Sequence, residues 1–317
     1  MDAERDGESW EGSTVQMYVS MKGMLAKANK ESYAVMAINA FNLESAAGVI
    51  HAATKMNPPI IIDLLQDHVK TYFDCDVLTK PIIKMAEQTH VPVAINLDHG
   101  SDVVHLKRCL HEGFLSVMID ASAHPFDENV AITRSVVEFA QEFDASVEAE
   151  VGNMGLVGEG AGFTESDMYT NPDAAIAFIN KTGVDALAVS FGSTHGDYPE
   201  GYVPTFHFDI VEKIKAATGK PLVLHGGSGN PDSEVAEAVR IGIQKVNISS
   251  DYKSAFFTKA REILAQPNSG WDPNNLFPEC IEAGKQVIKH KMELFDSKGK
   301  VALYRESGVK QWRQDQE

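Results

Sequence analysis

Cysteine is scarce in this chain, and its placement excludes a disulfide framework. Only Cys75, Cys109 and Cys280 occur in 317 residues, and they are widely spaced without a pattern. A secreted disulfide scaffold needs many paired cysteines in a short chain. We therefore expect three ordinary buried or half-buried thiols in a reducing compartment, the cytoplasm.

The chain also has few basic residues and no long apolar run. Lysine and arginine number 28 against 45 aspartates and glutamates, which gives a formal net charge of −17, and no basic run occurs. This acidity opposes nonspecific binding to nucleic acid or to an acidic membrane. No apolar run approaches the roughly 20 residues that span a bilayer, and no signal-peptide pattern is visible. A small anionic ligand is still compatible, because backbone N–H groups can hold a phosphate.

The length fits one domain with two extensions. A barrel of alternating strands and helices needs about 250 residues, and the chain has 317. Residues 1–16 are acidic, contain Gly and Ser and show no periodicity, so we expect a disordered leader. We expect residues 17–317 to form a single domain, in which an amphipathic pattern over 273–295 predicts a C-terminal helix packed against the barrel or a neighbouring subunit.

Short apolar runs that resemble buried strands recur along the chain, separated by stretches with helical spacing of apolar residues. Eight such runs occur, at 35–39, 59–64, 93–97, 116–121, 145–151, 185–191, 221–225 and 244–248. Continuous apolar strands that each precede a helix are typical of a parallel sheet covered by helices. Eight units favour an α/β fold of the closed (β/α)8 TIM barrel type over an open doubly wound sheet.

Three histidines stand where one of these runs ends and a glycine begins. They are His99 in LDHG, His195 in STHG and His225 in LHGG. The carboxyl ends of barrel strands converge on one face, so the three side chains could bind one ion. Three imidazoles suit zinc and leave a fourth position for water or substrate, as in a catalytic site. The alternative for any single histidine is a hydrogen-bonded core or loop residue.

Other polar side chains collect at the same strand ends. They are Asp98, Asp120, Ser122, Glu148, Glu150 and Asn247. Because the chemistry of such barrels lies at this face, these residues are the candidates for acid–base catalysis and for support of a metal.

Two turns after strands seven and eight have the composition of a phosphate site. HGGSG at 225–229 lets backbone N–H groups approach a ligand ahead of a helix, and NISSD at 247–251 adds the hydroxyls of Ser249 and Ser250. Each turn alone could be an ordinary connection with an N-cap serine. Their position after the last two strands, the usual phosphate site of this fold, favours the phosphate interpretation.

A third, glycine-rich loop follows strand five at 153–167, with the sequence NMGLVGEGAGFTESD. It is long and flexible enough to act as a lid that carries Glu159 over the site. The alternative is a surface excursion whose glutamate is solvated, and the sequence does not decide between them.

Jointly these motifs resemble the class II, zinc-dependent ketose-bisphosphate aldolases of the fructose-bisphosphate and tagatose-bisphosphate type. The resemblance covers about residues 18–300 and is carried in order by AFN at 40–42, LDHG at 97–100, VEAEVG at 147–152, GSTHG at 192–196, LHGGSG at 224–229 and VNI at 246–248. It implies reversible retro-aldol cleavage of a ketose (bis)phosphate to dihydroxyacetone phosphate and an aldehyde. The default substrate is fructose 1,6-bisphosphate, the alternative is tagatose 1,6-bisphosphate or another ketose phosphate, and a homodimer or homotetramer is expected.

The resemblance assigns the metal and proton-transfer roles residue by residue. His99, His195 and His225 would hold the catalytic zinc, with Glu150 supporting that site. Asp98 would be the general acid/base on the C4 hydroxyl of the sugar. Glu159, in the mobile loop, would handle the proton at C3.

The resemblance also assigns the binding of the phosphate group. The residues that would hold it are Gly196, Gly226, Gly227, Ser228, Asn247, Ser249 and Ser250. Gly196 and Gly226 would in addition flank a monovalent cation, Na⁺ or K⁺.

The chain departs from the family pattern at three places. Leu64 and Leu65 stand at the end of strand two, where many fructose-bisphosphate members have a small hydroxyl residue. Pro199 and Glu200 occupy the stretch after strand six where many members have a lysine, and DAS at 120–122 replaces the usual DGS. The zinc chemistry is untouched by these changes, whereas the identity of the sugar and the binding of a second phosphate become open questions.

The sequence pattern is also compared with other functional classes of barrel protein. A metal-dependent barrel hydrolase or isomerase would also place histidines at strand ends, but it has no use for two phosphate turns. A catalytically idle scaffold would not need Asp98 beside a zinc histidine. A Schiff-base aldolase needs a lysine near the strand ends, and we expect none there, since Lys245 begins strand eight and should point to the opposite end of the barrel.

Overall fold

Eight parallel strands close into a barrel in the computed structural model, which describes residues 17–72, 74–152, 169–193, 205–267 and 272–306. The strands are β1 (Val35–Asn39), β2 (Ile60–Leu65), β3 (Val93–Gly100), β4 (Ser116–Ile119), β5 (Ser146–Val151), β6 (Ala186–Val189), β7 (Leu222–Leu224) and β8 (Ile243–Ile248). Each strand pairs with the next in sequence, and β8 pairs with β1. The predicted (β/α)8 barrel is thereby confirmed.

Helices cover the outside of the barrel between successive strands. Those within the described residues are α1 (Met21–Lys30), α2 (Leu43–Met56), α3 (Gln66–Tyr72), α4 (Cys75–Glu87), α5 (Val103–His111), α6 (Phe126–Ala140), α7 (Pro172–Thr182), α8 (Phe208–Thr218), α9 (Asp232–Ile241), α10 (Ser250–Leu264), α11 (Pro273–Leu294) and α12 (Ala302–Glu306). The predicted C-terminal helix is confirmed as α11, which packs against α10 and α2. None of these helices is both long and apolar enough to span a membrane.

All eight strands lie at their predicted positions, with ends that differ by up to three residues. Strand β6 ends at Val189 rather than at 191, because the chain then leaves the barrel and Phe191 forms an isolated antiparallel bridge with Tyr169. Strand β3 continues to Gly100 rather than ending at 97. That extension contains a β-bulge, which is described with the site below.

The barrel interior changes character along its axis. At the end where the strands begin, the inward residues are apolar, namely Val35, Ala37, Ile61, Ala94, Ala186, Ala188 and Val223. Helix α1, which the sequence did not predict, closes this end with Met21, Met24 and Leu25, all fully buried. Beyond this layer the described interior is polar, with Asp63, Asn96, Glu148 and Lys245 buried there, and a cavity lies where the strands finish.

Candidate active site

The carboxyl ends of the strands enclose a cavity of about 210 Å³. It is lined by Asn39, Leu65, Asp98, His99, His225, Gly226, Ser228, Asn247, Ser249 and Ser250. Most of the residues singled out from the sequence therefore meet in one place. His195 and Gly196 fall in 194–204 and Glu159 falls in 153–168, so these three lie outside the described residues.

A β-bulge in β3 brings Asp98 and His99 to the same side of the strand. Leu97 pairs with Val117, but the next pair is Gly100 with Ile119, so β3 contains one extra residue at this point. His99 adopts the left-handed backbone conformation, with φ of 51°, which few residues other than glycine occupy. In a regular strand the two side chains would point to opposite faces. With the bulge, Asp98 Oδ1 and His99 Nε2 lie 4.0 Å apart.

His99 and His225 present facing nitrogens at the bottom of the cavity. Nε2 of His99 lies 3.2 Å from Nδ1 of His225, and the two rings are nearly perpendicular, at 88°. Two nitrogens that each lie about 2.0–2.1 Å from a tetrahedral zinc are about 3.3 Å apart. The observed spacing therefore fits a pair of metal ligands, and Asp98, His99 and His225 form a compact group of metal-type donors.

Each of these two imidazoles is held by a carboxylate at its other nitrogen. Nδ1 of His99 lies 2.9 Å from Oδ2 of Asp120, and Nε2 of His225 lies 2.8 Å from Oε1 of Glu148. Such carboxylate contacts fix the tautomer and the orientation of metal-binding histidines. Asp120 is itself anchored, because the Ser122 hydroxyl donates to its Oδ1 at 2.7 Å.

The charges around His99 favour a cation at this point. Burial disfavours a charged His99 ring, but Asp98 and Asp120 outweigh burial and raise the pKa of His99 to about 10. Glu150 is buried nearby, and its pKa is raised to about 8 by burial and by the charge on Asp120. A positive charge held by His99, whether a proton or a metal ion, is thus stabilised by several surrounding carboxylates.

Asp98 is held as an ionised carboxylate inside the cavity. Asn39 Nδ2 donates to its Oδ2 at 2.7 Å and Asn247 Nδ2 donates to its Oδ1 at 3.3 Å. Burial alone would raise the pKa of Asp98, but His99, His225 and other neighbours lower it to about 2. The side chain is therefore a fixed proton acceptor beside the paired histidines. The sequence did not indicate the part played by Asn39.

Glutamates 148 and 150 have different partners. The resemblance assigned support of the zinc site to Glu150, and its carboxylate lies near His99 and Asp120. Glu148, by contrast, contacts His225 directly. Both lie on the inward face of β5, since residues two apart in a strand share a face. That spacing was the available signal for including Glu148 in the site.

The expectation for Lys245 was wrong. Its side chain lies inside the barrel, wholly buried, with Nζ 2.8 Å from Oε2 of Glu148 and 3.5 Å from Oδ2 of Asp63. Lys245 is two residues from Asn247 on β8, so the two share the inward face. Burial opposes the charge, but the two carboxylates outweigh burial and raise the pKa of Lys245 above its ordinary value. An ammonium held in this way is not a Schiff-base nucleophile.

The two glycine- and serine-containing turns are tied to each other. The Ser228 hydroxyl accepts hydrogen bonds from the backbone N–H groups of Ser249 and Asp251, both at 3.2 Å. The N–H of Gly227 donates to the carbonyl of Asn247 at 3.0 Å, and a Cβ at Gly227 would lie 2.5 Å from a methyl group of Val246. Gly227 therefore allows the close approach of the turns, while its own N–H is already used.

Gly226 and Ser249 also line the cavity. Gly226 has φ of 62°, a conformation that favours glycine. Ser249 is the N-cap residue of α10, and its side chain makes no capping hydrogen bond to the helix. The first turn of α10 is thus presented to the cavity, and helix N-termini bind anions.

Lys253 on α10 is a cationic group that the sequence did not indicate. Its side chain is half-buried; burial lowers its pKa, and the nearby Asp98 carboxylate partly offsets this effect. His68 on α3 also lies within the electrostatic reach of Lys253, which contributes to the lowered pKa of that histidine. Lys253 is therefore a positively charged side chain within electrostatic reach of Asp98 and His68.

A closed parallel barrel with histidines and carboxylates clustered at the carboxyl ends of its strands is the arrangement of a metal-dependent TIM-barrel enzyme. The sequence profile of the class-II fructose-bisphosphate aldolase family matches residues 19–300. The chain belongs to this family, whose members are metal-dependent lyases that cleave a carbon–carbon bond. The resemblance inferred from the motifs is confirmed, and the hydrolase, isomerase and scaffold alternatives are set aside.

Individual relatives support the same assignment. The fructose-bisphosphate aldolase of Geobacillus stearothermophilus is 38% identical over 291 residues, which cover 90% of this chain and 99% of that protein. The fructose-bisphosphate aldolase of Thermus caldophilus is 35% identical and is covered completely. The crystal structure of the YdjI aldolase from Escherichia coli K12 is similar, with a TM-score of 0.78 at 31% identity, covering 90% of this chain and 100% of that one.

Proposed function

We propose that this protein is a zinc-dependent aldolase that cleaves a ketose phosphate into dihydroxyacetone phosphate and an aldehyde. The observation that carries the proposal is the meeting of the facing nitrogens of His99 and His225 with the ionised Asp98 in one cavity. His195 is proposed as the third zinc ligand. Ser193, two residues before it, donates a hydrogen bond to the carbonyl of His225 at 2.9 Å, which supports that assignment.

The site's own residues account for the proton transfers of the reaction. When bound, zinc supplies a Lewis acid that polarises the C2 carbonyl of the ketose. Asp98 accepts the proton of the C4 hydroxyl as the C3–C4 bond breaks, which releases the aldehyde. Asn39 and Asn247 hold the Asp98 carboxylate in place for this step. C3 must then gain a proton to give dihydroxyacetone phosphate, and Glu159 is proposed as its donor.

The proposal for Glu159 has a direct test. Glu159→Gln should retain affinity for dihydroxyacetone phosphate but slow the release of tritium from its labelled carbon. Glu165→Gln, in the same loop, is the matched control and should exchange at the normal rate. Normal exchange by Glu159→Gln would assign the step elsewhere.

The C1 phosphate of the substrate is proposed to lie against the paired turns after β7 and β8. Backbone N–H groups and hydroxyls at Gly226, Ser228, Ser249 and Ser250 surround this part of the cavity, with Gly227 and Asn247 joining the turns. Gly196 is proposed to bind the same phosphate. Gly196 and Gly226 are further proposed to flank Na⁺ or K⁺, which activation of cleavage by one of these ions would reveal.

Fructose 1,6-bisphosphate is the default substrate, and the relatives from Geobacillus stearothermophilus and Thermus caldophilus are both named fructose-bisphosphate aldolase. One observation favours another ketose phosphate: Leu65 lines the cavity at a position where many fructose-bisphosphate members have a small hydroxyl residue. An apolar wall there removes a hydrogen-bond donor to a second phosphate. Tagatose 1,6-bisphosphate and ketose monophosphates are therefore the alternatives.

A cleavage screen decides between these substrates. Ketose mono- and bisphosphates, including fructose and tagatose 1,6-bisphosphate, are compared by kcat/KM with coupled detection of dihydroxyacetone phosphate. We expect at least one ketose 1-phosphate or bisphosphate to be cleaved, with a high KM for fructose 1,6-bisphosphate relative to a better substrate. No release of dihydroxyacetone phosphate from any member of the panel by zinc-loaded protein would overturn the proposed function.

A homodimer or homotetramer is also proposed. Its support is a set of exposed apolar side chains at one side of the barrel, Phe257 and Leu264 on α10 and Leu43 on α2. Phe257 stacks on Phe41 at a centroid distance of 5.2 Å. Light scattering coupled to gel filtration tests this, and a mass of one chain would contradict it.

A further inference from the structure

Lys245 places a fully buried ammonium in the interior of the barrel. On β8, Lys245 and Asn247 point inward, whereas Val246 and Ile248 belong to the core between the strands and the helices. Burying a charge lowers stability unless its partners compensate. The partners of the Lys245 ammonium must therefore offset the free-energy cost of burying it.

The ammonium lies between carboxylates from opposite sides of the barrel. Nζ of Lys245 is 2.8 Å from Oε2 of Glu148 on β5 and 3.5 Å from Oδ2 of Asp63 on β2. Asp63 is fixed in turn by Asn96, whose Nδ2 donates to its Oδ1 at 2.9 Å. Asp63, Asn96, Glu148 and Lys245 are all fully buried, so their geometry is set by one another rather than by water.

Glu148 connects this buried ion pair to the candidate metal centre. Its second oxygen, Oε1, lies 2.8 Å from Nε2 of His225. A carboxylate at that position accepts a hydrogen bond from Nε2–H, which keeps the proton on Nε2 and leaves Nδ1 as the basic nitrogen of the ring. Nδ1 is the atom that faces His99, at 3.2 Å. The orientation of Glu148 thus selects the nitrogen with which His225 can bind a metal.

We propose that Lys245 is a positioning residue for the metal-binding histidine His225, acting through the carboxylate of Glu148. This inference rests on the proposed zinc site. Without the ammonium, the carboxylates of Glu148 and Asp63 would share a dry interior with no cation between them. Oε2 of Glu148 would also lose the ammonium contact that fixes it, so the carboxylate would be free to leave Nε2 of His225 and release the ring from its metal-binding orientation.

A second lysine distinguishes this role from general support of the barrel. Lys215 is half-buried, and its Nζ donates to Oε1 of Gln244 on β8 and to the carbonyl of Lys220. No carboxylate among the described residues pairs with it. Gln244 is adjacent to Lys245 in the same strand. Lys215→Met therefore perturbs β8 without touching the path from Lys245 to His225, and it is a matched control.

The test is the zinc affinity of the full-length protein, stripped of metal and titrated with Zn²⁺ in competition with a fluorescent chelator. Lys245→Met should raise the zinc dissociation constant by about 10–100-fold, the usual effect of losing a contact behind a metal ligand. Lys215→Met leaves the contacts of Glu148 and His225 in place, so its zinc dissociation constant should stay within about twofold of the wild-type value. The visible spectrum of the Co²⁺-loaded protein should change only in Lys245→Met.

Two further measurements cover the case in which Lys245→Met does not fold. Lys245→Met/Asp63→Asn removes one charge of each sign and still strips Glu148 of its cation, so it should show the same loss of zinc affinity. In wild-type apoprotein, ¹⁵N spectra of labelled histidine should show His225 with its proton on Nε2. A folded variant lacking Lys245 with wild-type zinc affinity, or a proton on Nδ1, would overturn the inference. Wild-type protein that binds no zinc would instead contradict the proposed function.

Discussion

Nε2 of His99 faces Nδ1 of His225 across 3.2 Å, although 126 residues separate the two in sequence. Asp120 holds the far nitrogen of the first ring and Glu148 holds that of the second. The two imidazoles are therefore oriented by carboxylates of the protein itself. Such preorganisation is what a catalytic metal site requires.

Removal of His225 should remove the metal. We expect wild-type protein to bind about one zinc per chain, as a site with three histidines would, and His225→Ala to bind none after dialysis. His124→Ala is the matched control, since that histidine is exposed and pairs with Glu128. Elemental analysis of the three proteins measures this, and equal zinc in wild type and His225→Ala would exclude His225 as a ligand.

Replacement of Asp98 should separate metal binding from catalysis. Asp98→Asn retains the shape of the side chain but cannot accept the C4 proton, so kcat should fall by about 10²–10⁴-fold, the scale of a positioned acid/base. Zinc content should stay at the wild-type level. Asp127→Asn, at an exposed aspartate, should behave as wild type. Near-normal turnover by Asp98→Asn would remove that residue from the role.

Lys253 should matter for a second phosphate. It is a half-buried cation near Asp98, while the chain has Pro199 and Glu200 where many fructose-bisphosphate members have a lysine. Lys253→Met should raise KM for a ketose bisphosphate by about tenfold, which corresponds to 1.4 kcal/mol. KM for the matching 1-phosphate should change little. Lys259→Met, on the exposed side of the same helix, is the control, and equal effects on both substrates would count against this assignment.

The C-terminal helix should support the phosphate turns through Lys291. Nζ of this buried side chain lies 3.2 Å from Oδ2 of Asp251, whose Oδ1 accepts the N–H of Gly229 at 3.2 Å. Lys291→Met removes a charged contact of about 1.5–3 kcal/mol, so KM for every substrate should rise while zinc content is unchanged. Lys289→Met, at an exposed position in the same helix, should leave KM at the wild-type value. A wild-type KM in Lys291→Met would show that the turns hold their geometry without α11.

Much of this architecture could be predicted from the sequence. Eight apolar runs separated by helical spacing predict a barrel, because a parallel strand covered by helices has no solvent-facing side. The glycines after His99 and His225 mark strand ends, and strand ends of a barrel share one face. These signals are local, so they can be read from short segments.

The remaining features depend on contacts between distant segments. The extra residue in β3 becomes visible only in its pairing with β4, and this bulge places His99 beside Asp98. The inward direction of Lys245 depends on the register of β8, and a shift of one residue reverses every side chain in a strand. The contact between Glu148 and His225 joins strands 77 residues apart. Helix α1 closes the barrel through packing that its own sequence does not specify.

The most direct test of the central claim is cleavage of the best ketose phosphate before and after removal of metal. Protein stripped with a chelator should release no dihydroxyacetone phosphate above background, and stoichiometric Zn²⁺ should restore the wild-type rate. His225→Ala treated in the same way should not recover, since zinc would then lack a ligand that β7 and Glu148 hold in place. Full activity in the stripped wild-type protein, with zinc verified as absent, would contradict a zinc-dependent aldol cleavage at this site.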